Sequence, residues 1–156
     1  MTAPAQIGLY WGADHFSVVE TANGQIANIF HIPFDTPIMQ DGVEAVPDEL
    51  KFPTLLQKTF EFRSVKTTLV NICIPAQELI FRSFGIPHID PKDVGNVIEF
   101  EVTKYIPIKL EELTYAYHTV PYVDNSRKYL RVLFVAIRKT RLAEMIQAVT
   151  DAGLTV

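Results

Sequence analysis

The stretch IGLYWGADHFSVVE, Ile7 to Glu20, is the first place in the chain where residues able to do chemistry gather. An apolar run reaches Gly12, a short polar patch Ala13-Asp14-His15 follows, and a second apolar run begins at Phe16. This layout suits two strands joined by a tight turn, and such a turn can grip the phosphates of ATP through backbone N–H groups. Gly12 is weak support on its own, because any tight turn can require glycine. The other reactive residues are scattered. His15, His31, His88 and His118 form no i,i+4 pair and have no Cys-x-x-Cys neighbour, so their spacing supports no metal site. His118 alternates within an apolar segment and reads as a strand-face residue. Cys73 sits in an apolar strand and reads as an inert buried thiol rather than a nucleophile. Glu111 and Glu112 are adjacent, point in different directions and suit a solvated turn better than acid–base work. Lys104 and Lys109 could meet an acidic partner, but lysines at an exposed helix end more often serve solubility and the helix dipole. No Gly-x-Ser-x-Gly, P-loop or dinucleotide fingerprint appears.

The totals narrow the class. At 156 residues the chain is one medium domain or two small lobes, and 48% hydrophobic against 21% charged residues suits a buried core. A net charge of −4 argues against a nucleic-acid binder. One cysteine excludes an internal disulfide framework and fits a reducing compartment. No apolar run approaches the ~20 residues of a membrane span, and MTAPAQ is not a signal peptide. A soluble, cytoplasmic protein is expected.

The elements that must position these residues read as α+β in two lobes, residues 1–76 and 77–156. Ala5–Trp11, Phe16–Thr21 and Ile26–Phe34 are expected as three antiparallel strands, with Asn23-Gly24 as a type I′ hairpin turn. A loop with Pro33, Pro37 and Pro47 follows. TLLQKTFEFRSV predicts a helix with Pro53 just ahead of it, and TTLVNICIP a buried strand stopped by Pro75. In the second lobe ELIFRSFGIP predicts a strand ending near Gly85. A helix follows with Asp90 as its cap, Pro91 in its first turn, a stripe of Val94, Val97, Ile98, Val102 and Tyr105, and Pro107 as its stop. LTYAYHTVPY and YLRVLFVAIR predict two strands joined by VDNSRK. KTRLAEMIQAVTDAG closes as a helix with Leu142, Met145, Ile146 and Val149 on one face and Gly153 as its stop.

The segment VIEFEVTKYIPIKLEELTYAYHTV, Val97 to Val120, resembles the PilM family, actin-like cytoplasmic proteins of type IV pilus assembly. The carriers are the Tyr105-Ile106-Pro107 element ending a helix, the acidic turn Glu111-Glu112 and the strand Tyr115–Val120. VLFVAIRKTRLAEMIQAVTDAGLTV is similar to the strand and helix that leave the family's inserted subdomain, and VNICIPAQELIFRSFGIP to its strand, break and next strand. The resemblance covers nearly the whole chain, most specifically from Leu69 onward and least over Phe34–Phe60. It implies a two-lobed actin-like half-domain: a ribonuclease-H-like three-stranded start plus the strand-helix-strand-strand (SHS2-type) insertion shared with FtsA. Relatives of this kind continue into a second domain carrying the other phosphate loop. The sequence stops at Val156, where a domain boundary would be drawn, and reads as a cut-down piece rather than a naturally short relative.

The resemblance also implies a magnesium-binding acid at the strand end before the first phosphate loop, followed by small hydroxyl residues. Aligned on Gly12, the acid's position holds Tyr10, the hydroxyl positions hold Ala13, Asp14 and His15, and a common basic residue is replaced by Ser17. Tyrosine cannot replace a carboxylate there, Asp14 would repel phosphate, and Trp11 adds bulk beside the turn. Gly12, Ala13 and Asp14 therefore read as the remnant of a nucleotide site, with ATP and magnesium expected in the family but not on this chain. Asp14 is either a displaced acid or an exposed turn residue. The function implied is a non-catalytic scaffold that binds the N-terminal tail of a PilN-like inner-membrane protein and is thereby recruited to the inner membrane face. Other pilus assembly components are further partners, with no nucleic acid and no direct membrane insertion. The tail would bind as an extended peptide in the groove between the lobes, with Phe84, Ile86, Tyr105 and Ile108 as loose nominations, each of which suits a core equally well. Two alternatives stand beside it: an actin-like ATPase with a divergent phosphate loop, and a GspL-like secretion or FtsA-like division component.

Overall fold

Alternation along the first three segments sets one face of a sheet against a core. Ile7, Leu9 and Trp11 of β1 (Gln6–Trp11), Phe16 and Val18 of β2 (His15–Ala22) and Phe30 of β3 (Gln25–Pro33) are buried. The residues between them point the other way, as the two-residue period of a strand requires. The computed structural model describes residues 4–33 and 51–156; the proline-bearing loop expected after β3, with Phe34, lies outside the described residues. Asn23 and Gly24 take φ of 55° and 75°, the left-handed pair of a type I′ turn, and they close the β2–β3 hairpin as expected.

α1 (Phe52–Phe62) begins one residue before Pro53, which falls in its first turn and leaves no orphaned N–H there. It ends at Phe62, short of the expected Val65, because Ser64 turns left-handed and the Val65 N–H closes back on the Phe60 carbonyl at 3.0 Å. Phe52, Leu56 and Phe60 are its buried stripe. β4 (Val70–Cys73) then returns parallel to β1, giving the order β3-β2-β1-β4. β4 is a sheet edge, and Cys73 is exposed there rather than buried as its apolar neighbours suggested.

The chain divides into two units: the described residues up to Pro75 with Glu144–Val156, and Ala76–Ala143. The division differs from the expected 77–156 lobe in the last thirteen residues, 144–156, which join the first unit. Val70 donates its N–H to the Thr155 carbonyl at 2.7 Å and Thr155 donates to Thr68 at 2.8 Å, so the C-terminal strand bridge binds beside β4. In α3 (Lys139–Asp151) Met145 and Val149 are buried, Leu142 is half-buried and Ile146 is exposed, which narrows the expected apolar face. Gly153 at φ 80° stops that helix as read from the sequence.

In the second unit the order is β5-β7-β6, all antiparallel, from β5 (Ile80–Pro87), β6 (Leu113–Asp124) and β7 (Arg127–Arg138). β5 runs on to Pro87 rather than stopping near Gly85. The β6–β7 hairpin is longer than expected: Asn125 and Ser126, at φ 46° and 64°, make a two-residue turn where six residues of loop were read. α2 (Val94–Val102) covers one sheet face, its Ile98 and Val102 packing with Phe84, Ile86, Leu113, Leu130, Val132 and Phe134. Full burial of each such side chain contributes about 1.5–3 kcal/mol. The helix is shorter than the His88–Pro107 punctuation implied. Asp90 caps a preceding turn through the Lys92 N–H at 3.1 Å, and the Lys104 and Tyr105 N–H groups donate i→i−3 to the Glu101 and Val102 carbonyls, which tightens the end into a 3₁₀ turn before Pro107 is reached.

Candidate functional site

Each unit carries one group of candidate residues. The first is the β1–β2 turn. Gly12 donates its N–H to the His15 carbonyl at 2.9 Å, leaving Ala13 and Asp14 exposed at the tip. A Cβ at position 12 would stand 3.0 Å from the Tyr10 ring and 3.4 Å from the His15 ring, so a side chain here would press on both rings and require them to shift. Trp11, expected to crowd the ligand side of this turn, points the opposite way: it is an inner-face residue stacked on Phe52 at 3.7 Å. Alternation places Tyr10 outward, and β-pairing puts it opposite Ser17, which in turn pairs with His31.

These side chains form a contiguous polar group. The Tyr10 ring stacks on His15 at 5.3 Å, and the His15 and His31 rings lie 4.4 Å apart. His15 Nδ1 is 2.6 Å from an Asp14 carboxylate oxygen, and Ser17 Oγ is 3.0 Å from His31 Nδ1. The hydrogen bond to His15 holds the Asp14 carboxyl below its ordinary pKa. Asp14 is thus ionised and engaged with an imidazole beside it. A phenol stands at the strand-end position to which the family resemblance assigns a metal-binding acid. Glu20, only 3% exposed, is a different kind of carboxylate. It accepts from Asn28 Nδ2 at 2.6 Å and from the Lys66 N–H at 3.1 Å, tying the post-α1 loop to β2 as a structural anchor.

The second group belongs to the β5-β7-β6 sheet on the side away from α2. Cross-strand register sets Phe81 beside Val135, Ser83 beside Leu133, Ala116 beside Val135 and His118 beside Leu133. These residues line an open depression of about 440 Å³. Phe81 is 56% exposed and Leu133 50%. An antiparallel sheet with one wet face normally alternates apolar and polar residues. β7 instead runs Val132-Leu133-Phe134-Val135-Ala136-Ile137, apolar on both faces, although among the described elements of this unit only α2 covers one. At the far end of this face Tyr122 crosses toward Gly85, where a Cβ would meet its Oη at 2.6 Å, and the Arg131 guanidinium lies 5.1 Å from the Tyr122 ring centre.

The nominated partner residues lie on the other side. Phe84 and Ile86 are core side chains under α2, and Ile108 packs against that core. Tyr105 is half exposed and stacks on Phe84 at 5.5 Å. The outer-face residues Phe81, Ala116, Leu133 and Val135 carry no motif, and their one sequence signal is the unbroken apolar run of β7. His118 is the exposed face residue it was read as, Lys104 Nζ is spent on Glu101 at 2.6 Å, and Glu112 sits 3.9 Å from Arg138. Among the described residues no group of three or more His, Cys, Asp or Glu forms a metal cage, and no helix is long and apolar enough to cross a membrane.

A sheet of three antiparallel strands with a fourth parallel to the first, followed by a strand-helix-strand-strand unit, defines an actin-like α+β half-domain carrying an inserted subdomain. A family profile described as the type IV pilus assembly protein PilM matches residues 16–156, and the chain belongs to that family. Among solved structures, one titled as the PilM–PilN type IV pilus biogenesis complex superposes with a TM-score of 0.71 at 18% identity, over 96% of this chain and 45% of that one. The cytoplasmic domain of EpsL, an inner membrane component of the type II secretion system of Vibrio cholerae, matches with a TM-score of 0.58 at 11% identity, over 97% of this chain and 54% of that one. The chain therefore spans about half the length of the solved structures it matches. No curated protein sequence matches it.

Proposed function

We propose that this chain is a non-catalytic, cytoplasmic docking scaffold of type IV pilus assembly, and that it binds the N-terminal tail of a PilN-like inner-membrane protein on the outer face of the β5-β7-β6 sheet. The observation that carries this reading is the two-sided apolar β7, whose Leu133 and Val135 line an open depression with Phe81 and Ala116. An extended peptide with apolar anchors fits such a surface, its side chains filling the depression while its backbone remains free to hydrogen-bond. The match to a PilM–PilN complex supports a partner of this type. Membrane recruitment then follows from the partner's own membrane segment.

Absence of ATP chemistry belongs to the same proposal. Tyr10 stands where the family resemblance asks for a magnesium-binding acid, and Asp14 is held by His15. Its carboxylate would have to leave that partner to serve a cation.

The test is a calorimetric titration of the chain with a synthetic peptide carrying the N-terminal tail of a PilN-like inner-membrane protein. Micromolar binding, abolished by Leu133→Asp, is the expected result; a flat titration with folded protein rejects the reading. Mg-ATP titrated into the full-length protein checks the second part, with binding at micromolar concentration as the outcome that restores the ATPase.

A further inference from the structure

The geometry points to a two-imidazole binding site for a late first-row divalent cation of the Ni²⁺, Cu²⁺ or Zn²⁺ class, formed by His15 of β2 and His31 of β3. The two residues are sixteen apart in sequence, but the β2–β3 register sets Pro33 opposite His15 and His31 opposite Ser17. They are therefore diagonal neighbours on one sheet face, a spacing within reach of long side chains. Their ring centroids are 4.4 Å apart with planes tilted by 39°. Two imidazoles bound cis to one ion at about 2.0–2.1 Å per nitrogen place their centroids roughly 4.5–5 Å apart.

Each ring is also oriented by a second partner. His15 Nδ1 meets the Asp14 carboxylate at 2.6 Å, and an ionised carboxylate only accepts, so this nitrogen carries the hydrogen. In the neutral imidazole, the form that binds a metal ion, Nε2 of His15 then holds the lone pair. This is the carboxylate–histidine arrangement that fixes tautomer and orientation in metal sites. His31 Nδ1 is engaged by Ser17 Oγ at 3.0 Å, and because a hydroxyl both donates and accepts, it can support the tautomer that leaves Nε2 free. Tyr10 also stacks on the His15 ring at 5.3 Å and helps to hold it. The donor set is nitrogen, which suits Ni²⁺, Cu²⁺ and Zn²⁺ and disfavours the oxygen-seeking Mg²⁺ and Ca²⁺. Water fills the remaining positions, so the site is open and exchangeable rather than a structural cage.

The test uses the untagged full chain in a non-coordinating buffer, titrated in turn with NiCl₂, CuCl₂ and ZnCl₂. One equivalent should bind at micromolar concentration. His15→Gln and His31→Gln should each weaken it at least tenfold, and Asp14→Asn about tenfold through loss of the orienting carboxylate. His118→Gln, at the other sheet, should leave it unchanged. Affinity retained in both His15→Gln and His31→Gln, or no binding tighter than millimolar for any of the three ions, overturns the site. Substoichiometric Cu²⁺ on the wild-type chain gives a second readout that needs no variant. The ring-proton NMR signals of His15 and His31 should broaden before those of His88 and His118, and uniform broadening of all four also overturns it.

Discussion

The indole of Trp11 lies flat against the ring of Phe52, centroids 3.7 Å apart and planes within 1° of parallel. The stack joins the last residue of β1 to the first residue of α1, and Phe16 adds an edge contact to Phe52 at 5.8 Å. Trp11→Ala should destabilise folding by about 3–5 kcal/mol, the range for deleting a large core aromatic. Urea unfolding followed by circular dichroism measures this, and a change below 1 kcal/mol would show that the stack contributes little.

Glu20 gives stability a pH dependence of known sign. Burial alone raises its carboxyl pKa, but hydrogen bonds from Asn28 and from the Lys66 and Thr67 backbone N–H groups outweigh that, and the folded value lies below the ordinary one. A depressed carboxyl contributes stability that is complete above its unfolded pKa of about 4.3 and is lost as pH falls through the folded value. Glu20→Gln should therefore be less stable than wild type at pH 7, by about 1–3 kcal/mol for a buried charged acceptor. The gap should shrink as the pH is lowered from about 5 toward 2, over which the wild-type carboxyl is protonated. Parallel denaturant titrations across that range decide it.

The two hairpin turns should respond oppositely to substitution. Gly24, at φ 75° with open space around it, is required for conformation alone, so Gly24→Ala should cost about 1 kcal/mol. Ser126 holds φ 64° with a side chain, and Ser126→Gly should be neutral or stabilising by up to about 1 kcal/mol. Thermal melts of the two variants provide the comparison.

On the outer sheet face, binding and folding should separate. Phe81 and Leu133 are each about half exposed, so Phe81→Ser and Leu133→Asp should change folding stability by no more than about 0.5 kcal/mol. Affinity for the PilN-like tail should fall at least tenfold, about 1.4 kcal/mol. Phe84→Ala, under α2, should instead cost about 3–5 kcal/mol in stability. Equal losses of affinity and stability in all three variants would remove the case for this face as a docking surface.

The linear sequence by itself determined the α+β class, the Asn23-Gly24 turn, the Gly153 stop and the PilM resemblance. Each of these is written in local signals: period, positive-φ residues, and short motifs such as Tyr105-Ile106-Pro107. Tertiary structure decided which face each strand turns inward. Alternation says that Tyr10 and Trp11 oppose one another, but only the packing of α1 makes Trp11 core and leaves Tyr10 with the histidines. The same holds for β5, where α2 covers Phe84 and Ile86 and leaves Phe81 to solvent, and for Cys73, which pairs with Tyr10 and shares its outward face. His15 and His31 became neighbours through one irregularity of the β2–β3 hairpin. The Asn23-Gly24 turn, continued without a break, would set His31 opposite Phe16 on the inner face, whereas the register shift between Glu20 and Thr21 sets it opposite Ser17. That shift is a property of the paired strands, and no glycine or turn signal in the sequence marks it.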